Sequence, residues 1–539
     1  MREKIIDFTI SMLRYTVLIM AITHIFFFLY NSFKLCSFGN IQVDFGEGIM
    51  LGNAKRLLEL KTIYPSLTDD VTLGVYPPLY QLLSAAVLMV TGVSLTSGRV
   101  VSTISSILIA LIIYKLSRDA EGRLIQLGLS ALYLSSPITM TWGPLMRVDM
   151  LAVLLTAIGL YVFLKYRGRF KYVIVAIAFA SSTLTKQNMI AGITSVIIFL
   201  LMKKLWRDAL KLIAYYLLIF GSCSIILILL TGGQYLNHVY LYHVGHPLEW
   251  DRLTIYHWFS YLHLPLIIMA FSSVILILRK KPSPLVFYVM LAAAMSLLIV
   301  KVGAATNYFV ELVTGLALLV AAALSELQMK REKMIALIIT AFFVAQFILY
   351  SQSVGIIPDI QENRYFAEQV NLLEYLKNVQ GKILCESGAV AVISGKGPAI
   401  DWFLLSQVFR SGLWNEDEFI KLIDKKGFRF LVMSFNLTAS DLSKMRSERF
   451  TPQLLIKLRD HFVFREKIGT YYIYERTNDA VDNALSRMAM IVPKWCYSSS
   501  NHHIMLSEKV CAMEMLMRGV HRENMKLYWK SRYKDCKRY

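Results

Sequence analysis

The sequence is short of charged residues. Only 17% of its 539 residues are Asp, Glu, Lys or Arg, whereas 56% are apolar. Soluble domains typically carry about 25% charged and about 45–50% apolar residues, so a soluble chain of this length would lack the charge needed to cover its surface. The composition therefore argues against an ordinary soluble protein and predicts that most of the chain lies in a lipid bilayer.

Acidic residues are scarcer than basic ones, and close pairs of cysteines are lacking. The 37 acidic residues against 57 basic ones give a formal net charge of +20. In a soluble protein this excess would suggest nucleic acid, but the cytoplasmic loops of membrane proteins collect Lys and Arg. We therefore expect no nucleic-acid partner. The six cysteines show no CxxC spacing, which argues against a zinc knuckle or a disulfide framework.

Eleven apolar runs approach the length of about 20 residues that crosses a bilayer core of about 30 Å. The runs lie at approximately 11–33, 98–115, 124–141, 148–164, 171–185, 188–202, 212–230, 262–278, 284–300, 307–325 and 334–352. Basic residues concentrate in every second connection, which places these connections in the cytoplasm. The pattern predicts a multi-pass protein of the cell (plasma) membrane with a cytoplasmic N-terminus.

One shorter apolar run affects the topology. Leu79–Val90 follows Pro77 and Pro78 and is too short to span the bilayer, so we interpret it as interfacial or re-entrant. If it did span, either the N-terminus or the basic loops would lie on the wrong side of the membrane. Residues 34–97 are therefore predicted to form one long outer loop, within a transmembrane module that covers residues 1–352.

The pattern changes after the last span. Residues 353–476 alternate helical and strand patterns, which predicts a small extracytoplasmic α/β domain. Helices are expected at Tyr365–Val379 and Glu416–Lys426, and strands at Lys382–Cys385, Val390–Ile393, Phe428–Ser434 and Thr470–Tyr474. Residues 477–539 are rich in basic residues, and we interpret them as a mobile tail.

With this topology, the polar residues that stand out fall on the outer side of the membrane. Those singled out are Asp44, Glu47, Tyr76, Arg147, Asp149, Lys186, Gln187, Asn307 and Glu311. Ionisable groups at a membrane edge are costly unless they are paired or used. Their convergence from several connections predicts one site at the outer face.

The residue types in this set suit group transfer from a phosphate. A carboxylate such as Asp44 can take a proton from an acceptor hydroxyl. Arg147 and Lys186 can stabilise a phosphate leaving group. Since the natural phosphate carrier at a membrane surface is a lipid, we predict transfer of a glycosyl group from a polyprenyl-phosphate sugar to a glycan, lipid or protein acceptor.

Several short motifs follow one another in order over residues 10–350. They are the acids Asp44 and Glu47 in the first outer loop, Tyr-Pro-Pro-Leu at 76–79, Arg147-x-Asp149, Thr-Lys-Gln at 185–187 and Asn307-Tyr-Phe-x-Glu311. Together they resemble the GT-C superfamily of membrane glycosyltransferases, and most of all its bacterial and archaeal branch related to protein O-mannosyltransferases and aminoarabinose transferases.

The resemblance implies a GT-C-like, α-helical polytopic fold of about eleven transmembrane helices with a small C-terminal extracytoplasmic α/β domain. It makes Asp44 the catalytic base or acceptor-orienting acid, Asp149 a second catalytic acid, and places Lys186 near the donor phosphate. Glu47 is a further catalytic candidate, Arg147 a phosphate ligand, and Tyr76, Gln187, Asn307 and Glu311 are substrate-binding candidates. Many relatives place a basic residue just before the Pro-Pro pair, whereas this chain has Val75-Tyr76. No cofactor is assigned, and a divalent cation is left open.

Other interpretations remain open on the sequence alone. Asp149 would favour the helix dipole wherever it opens a span, Arg147 would also suit an interfacial anchor, and Asn307 and Glu311 are spaced for a hydrogen bond on one helix face. A transporter or flippase of lipid-linked sugars, or a polysaccharide polymerase or ligase, are the alternative functions.

Overall fold

The computed structural model describes residues 2–117, 123–244, 246–280, 282–326, 333–352, 364–437 and 448–477. The predicted tail beyond Thr477 lies outside the described residues. The first part of the chain is helical, and its helices are α1 (Arg2–Ser37), α2 (Phe45–Leu58), α3 (Leu79–Thr91), α4 (Thr96–Leu116), α5 (Arg123–Ser135), α6 (Pro137–Trp142), α7 (Asp149–Lys165), α8 (Lys171–Thr183), α9 (Ala191–Met202), α10 (Trp206–Leu230), α11 (Gln234–Val239), α12 (Ile255–Lys280), α13 (Pro284–Ser296), α14 (Val310–Ser325) and α15 (Lys333–Ser351).

Each of the eleven predicted spans coincides with helix, which confirms the polytopic helical fold class. Six segments in the described residues are long and apolar enough to cross a membrane: Ile5–Ser37, Thr96–Leu116, Trp206–Leu230, Trp250–Arg279, Thr306–Ser325 and Met334–Ser351. The other predicted spans are shorter helices, of which α8 and α9 have 13 and 12 residues. The run 124–141 is divided into α5 and α6 at Ser136, because the residue before a proline is disfavoured in helical conformation.

Two helices, α2 and α3, lie within the predicted outer loop. Helix α3 has 13 residues and is therefore about 20 Å long, which is shorter than a bilayer core. Helix α2 begins in a capping box: Asp44 Oδ2 accepts the N–H of Gly46 at 2.8 Å, and Glu47 Oε2 accepts the N–H groups of Val43 and Asp44 at 2.9 and 3.3 Å. The two acids of this loop thus define where the helix starts.

The C-terminal part forms a small α/β unit. Its helices are α16 (Arg364–Lys377), α17 (Gly388–Ile393), α18 (Trp402–Arg410), α19 (Glu416–Lys425) and α20 (Pro452–His461), and its strands are β1 (Lys382–Cys385), β2 (Phe428–Met433), β3 (Phe462–Ile468) and β4 (Tyr471–Arg476). The sheet order is β1-β2-β4-β3, with β1 parallel to β2 and the other pairs antiparallel. The mixed helix and strand pattern is confirmed.

One expected strand in this unit is wrong. Residues 390–393 belong to α17 rather than to a strand, although Val and Ile favour strands. Helix α17 packs against α2, and this tertiary contact overrides the local preference. Strand β3 was not predicted from the sequence; it joins β4 through Gly469, which has a φ of +58°.

Close backbone contact joins α2 to the C-terminal unit. A Cβ on Gly48 would overlap the backbone nitrogen of Ala389, and one on Gly52 would come within 2.7 Å of the Ala399 side chain. Nearby, Gln42 donates its backbone N–H to Gln369 Oε1 at 3.0 Å and accepts the N–H of Ala389 on its own Oε1 at 2.8 Å. Helix α2 and the C-terminal unit are therefore packed without room for a side chain between them.

We expect Gly48→Val to separate α2 from α17, because the clash is with backbone that cannot rotate away. Overpacking of this kind costs about 1–3 kcal/mol, so the unfolding temperature of the detergent-purified protein should fall. Gly221→Val in α10 is the matched control, since a Cβ there would meet no atom of the described residues within 4 Å. Equal unfolding temperatures for the two variants would contradict the packing described.

Candidate functional site

A cavity of about 620 Å³ opens where the helical bundle meets the start of α2 and the C-terminal unit. It is lined by the start of α2, the connections α6–α7 and α8–α9, residues 239–244 with His246, residues 298–308, and two segments of the C-terminal unit. The residues predicted from sequence that line it are Asp44, Tyr76, Arg147, Lys186, Gln187 and Asn307. The structure thus brings together most of the candidates in one cavity.

Asp44 and Arg147 form an ion pair at the cavity wall. Arg147 Nη1 donates to Asp44 Oδ2 at 3.0 Å, and the same oxygen accepts the N–H of Gly46. The Asp44 side chain is 24% exposed. Burial raises the pKa of Asp44, while the positive charge of Arg147 acts in the opposite direction. Arg147 also lies 5.7 Å from the ring centroid of Trp142.

Asp149 holds two cations beside the cavity. Its Oδ1 accepts from Lys186 Nζ at 2.7 Å and from Asn307 Nδ2 at 2.9 Å, and Arg147 Nε lies 3.8 Å from Oδ2. The Asp149 side chain is only 1% exposed. Arg147 reaches Asp149 despite the i,i+2 spacing because Arg147 precedes the first turn of α7. The ammonium of Lys186 also lies 4.9 Å from the ring centroid of Tyr308.

Glu47 is fully buried and bound on both oxygens. Arg99 Nε and Nη2 donate to Glu47 Oε1 and Oε2 at 2.8 Å each, and the N–H of Met146 donates to Oε1 at 3.0 Å. Burial raises the pKa of Glu47, but the charge and hydrogen bonds of Arg99 together with the backbone N–H groups of Met146 and Val43 lower it overall. Arg99 also donates to the carbonyl groups of Leu35, Phe38 and Ile41. Glu47 therefore joins three segments and has no exposed surface for a substrate.

Sequence reasoning missed Arg99. It was counted inside an apolar span, yet it is a single arginine among the uncharged residues of α4 before Lys115. A lone cation at such a position is costly without an acid partner, and this signal could have led to Glu47.

The predicted substrate-binding residues occupy different places. Tyr76 lines the cavity, while Gln187 Nε2 donates to the carbonyl groups of Val75 and Val239 at 3.3 and 3.2 Å. Glu311 lies deeper, in a small cavity that it shares with Asp149 and Lys186. Asn307 donates to Asp149, so its amide is used there and not in the hydrogen bond to Glu311 that the spacing suggested.

Five further cavity residues were not among the site residues predicted from the sequence, although three of them lie in connections that the sequence places on the outer side. They are His243, His246, Lys301, Asp401 and Arg449. Burial lowers the pKa of His243 to about 4 and raises that of Asp401 to about 6. Asp401 and Arg449 were missed because the C-terminal residues were treated as a separate domain. Across the described ranges, no three His, Cys, Asp or Glu side chains are grouped to hold a metal ion.

Comparison with known proteins agrees with this architecture. The family model described as dolichyl-phosphate-mannose-protein mannosyltransferase matches residues 75–230. ArnT from Cupriavidus metallidurans bound to undecaprenyl phosphate superposes with a TM-score of 0.57 at 11% identity, over 85% of this chain and 97% of that one. Its apo form gives 0.55 at 11% identity, over 80% and 93%.

The oligosaccharyltransferase of Archaeoglobus fulgidus in the apo form gives a TM-score of 0.50 at 12% identity, over 85% of this chain and 74% of that one. These structures are of GT-C glycosyltransferases, and the chain shares their fold. The predicted resemblance is thereby confirmed. Similarity at 11–12% identity shows a shared fold and does not identify the substrate. No curated protein sequence matches the chain significantly.

We expect Glu47→Gln to destabilise this GT-C fold strongly, because it leaves the Arg99 guanidinium buried without a countercharge. Breaking one partner of a buried ion pair costs about 3–5 kcal/mol. The measurement is the unfolding temperature in detergent. Glu59→Gln, at an exposed ion pair with Lys61, is the control and should change it little. A loss no larger than that of the control would show that the pair does not hold the fold.

Proposed function

We propose that the chain transfers a hexosyl or pentosyl group from a polyprenyl-phosphate sugar to a glycan, lipid or protein acceptor at the outer face of the membrane. One observation carries the proposal: the accessible carboxylate of Asp44 lines the same cavity as Arg147 and Lys186, which are held by the buried Asp149. The family match over residues 75–230 and the fold shared with an undecaprenyl phosphate-bound ArnT support it.

Asp44 is the group best placed to act on the acceptor. Its side chain is 24% exposed, against 1% for Asp149 and 0% for Glu47. Both described hydrogen bonds to Asp44 end on Oδ2, so Oδ1 is left to accept a substrate hydroxyl. Burial that raises its pKa also makes it a stronger base. In this role Asp44 takes the hydroxyl proton as the acceptor oxygen attacks the sugar.

Arg147 and Lys186 are the groups best placed to hold the donor phosphate. As the bond between the sugar and the phosphate oxygen breaks, negative charge builds on the phosphate. Cations that are already fixed in place stabilise that charge without reorganising. Asp149 fixes both through contacts of 3.8 and 2.7 Å, so we assign it a positioning role. Glu47 is likewise a positioning residue, since Arg99 and backbone N–H groups surround its carboxylate.

Charge distribution supports the outer-face location. The cavity is lined by the connections α6–α7, α8–α9, α10–α12 and α13–α14, whereas the basic clusters of the sequence fall in the alternate connections, such as α7–α8 and α9–α10. Because cytoplasmic loops collect Lys and Arg, the cavity belongs to the opposite side. Asp401 and Arg449 line the same cavity, so we also assign the C-terminal unit to the outer side. Helix α1 ends at Ser37, shortly before Asp44 at the cavity, so its other end and the N-terminus are assigned to the cytoplasm.

We expect Asp44→Asn to reduce glycosyl transfer by about 10²–10⁴-fold, the range that a general base contributes, while the donor still binds. The assay supplies membranes with a panel of radiolabelled polyprenyl-phosphate hexoses and pentoses and measures label in non-donor product. Asp69→Asn, at an exposed acid of the same loop, is the matched control. Unchanged activity in Asp44→Asn would refute the role of Asp44.

The same assay separates transfer from transport and tests the side of the membrane. Right-side-out vesicles should form product from donor and acceptor present at their outer face, and inverted vesicles should not. Movement of labelled donor between leaflets without any product would contradict the proposed transfer and indicate a flippase.

We expect Gly46→Ala to lower activity with little loss of stability. A Cβ at residue 46 would overlap the guanidinium of Arg147, which lies at the end of a flexible side chain and can move away from Asp44. Gly221→Ala is the control, because a Cβ there contacts none of the residues that the structure describes. Wild-type donor affinity and turnover in Gly46→Ala would show that the contact between Asp44 and Arg147 is not needed.

A further inference from the structure

A second cavity, of about 350 Å³, lies at the opposite end of α2 from the candidate site. It is formed by the last turn of α2, the loop that follows, and the C-terminal unit. We call it the basic cleft. Its charged lining residues are Lys55, Arg56, Glu59, Lys61, Asp70, Lys382, Lys396 and Lys426. Six cations thus face two acids in a concave site.

Both acids of the basic cleft are already neutralised. Arg56 Nη1 donates to Asp70 at 2.7 Å, and the carboxylate of Glu59 lies 2.7 Å from Lys61 and 3.9 Å from Lys55. Both acids of the cleft are thus paired with cations of the same short stretch of the chain, residues 55–70. The cations contributed by the C-terminal unit must therefore find their counterions elsewhere.

Three lysines of the C-terminal unit carry the unbalanced charge. Among the described residues, no carboxylate lies within ion-pair distance of Lys382, Lys396 or Lys426, although Lys426 is close enough to Asp70 to help lower the pKa of that carboxyl. Lys382 Nζ donates to the backbone carbonyl of Lys426 at 2.8 Å, which brings one ammonium next to the residue that bears another. Lys396 and Lys426 are half-buried. Like charges that converge in a cleft repel one another and concentrate anions from solution.

The position of Lys396 is built into the fold. Gly395, before it, has a φ of +68°, a conformation that favours glycine. A Cβ on Gly397, after it, would overlap the carbonyl oxygen of Ile383 in β1. The backbone N–H of Ile383 donates to the carbonyl of Lys396 at 3.0 Å. The loop is thus held against the sheet, with Lys396 at the wall of the cleft.

We propose that the basic cleft is a phosphate-binding site, separate from the candidate glycosyl-transfer site. Lysine ammonium groups bind phosphate as point charges, and three of them are available here. The eleven residues from Asp44 to Lys55 place the two sites about 17 Å apart along α2. The phosphate belongs either to a soluble molecule or to an anionic lipid headgroup. This assignment does not rest on the proposed function.

Lysine footprinting of the full-length protein in nanodiscs tests the proposal with a local readout. The lysines are acylated by a water-soluble ester with and without inorganic pyrophosphate, and each rate is measured by mass spectrometry. At ten times its Kd, pyrophosphate should slow the acylation of Lys396 and Lys426 by about tenfold, because only free sites react. Lys425, the exposed neighbour of Lys426 at the end of α19, is the internal control and should keep its rate.

Two lipid compositions distinguish the sources of phosphate. If the ligand is soluble, protection needs pyrophosphate in nanodiscs of phosphatidylcholine alone and in nanodiscs that include phosphatidylglycerol. If it is a headgroup, phosphatidylglycerol alone protects Lys396 and Lys426. Absence of protection in every condition, or equal protection of Lys425, overturns the proposal.

Charge removal gives a second test, which reads the acylation of Lys382 instead of that of Lys396 and Lys426; in the wild-type protein pyrophosphate should slow it, because Lys382 lines the same cleft. Lys396→Gln combined with Lys426→Gln should abolish the slowing of acylation at Lys382, and should weaken pyrophosphate binding at this site by about tenfold or more. Lys425→Gln should leave both unchanged. Retention of full protection at Lys382 in the double variant would overturn the proposal.

Discussion

The buried ion pair between Glu47 and Arg99 is the constraint on which the candidate site depends. A buried carboxylate is tolerated only when its charge and lone pairs are met, and here Arg99 meets both oxygens while the N–H of Met146 binds one. Glu47 also accepts the N–H of Asp44, and Met146 is the residue before Arg147. Glu47 therefore fixes the backbone at or next to both members of the Asp44–Arg147 pair. Asp44 and Arg147 consequently face each other at 3.0 Å.

Different degrees of burial give the two carboxylates next to the cavity different roles. Asp149 is almost fully buried and satisfied by Lys186 and Asn307, so it is suited to hold cations and not to meet a substrate. Asp44 keeps an exposed edge and one oxygen outside its described hydrogen bonds. Environment sets different roles for identical side chains, as in other sites that pair two acids.

The sequence allowed the prediction of the helical bundle and of most cavity residues, because apolar length and alternating basic loops are strong, local signals. It did not reveal that Glu47 forms a buried ion pair with Arg99, since that contact joins residues 52 positions apart. Residues 390–393 form a helix because they pack on α2, a contact that no local propensity encodes. Asp401 and Arg449 lay in a segment interpreted as a separate domain, so their place in the cavity was equally out of reach.

Helix α2 makes the C-terminal unit part of the site. Gly48 and Gly52 let that unit approach α2 directly. The same packing brings Asp401 and Arg449 to the cavity at the start of α2, and it brings Lys396 and the other lysines of the unit to the basic cleft at the end of α2. A shift of the C-terminal unit would therefore alter both cavities together. The glycines of α2 join the C-terminal unit to the helical part of the chain, because a side chain at either position would separate the two.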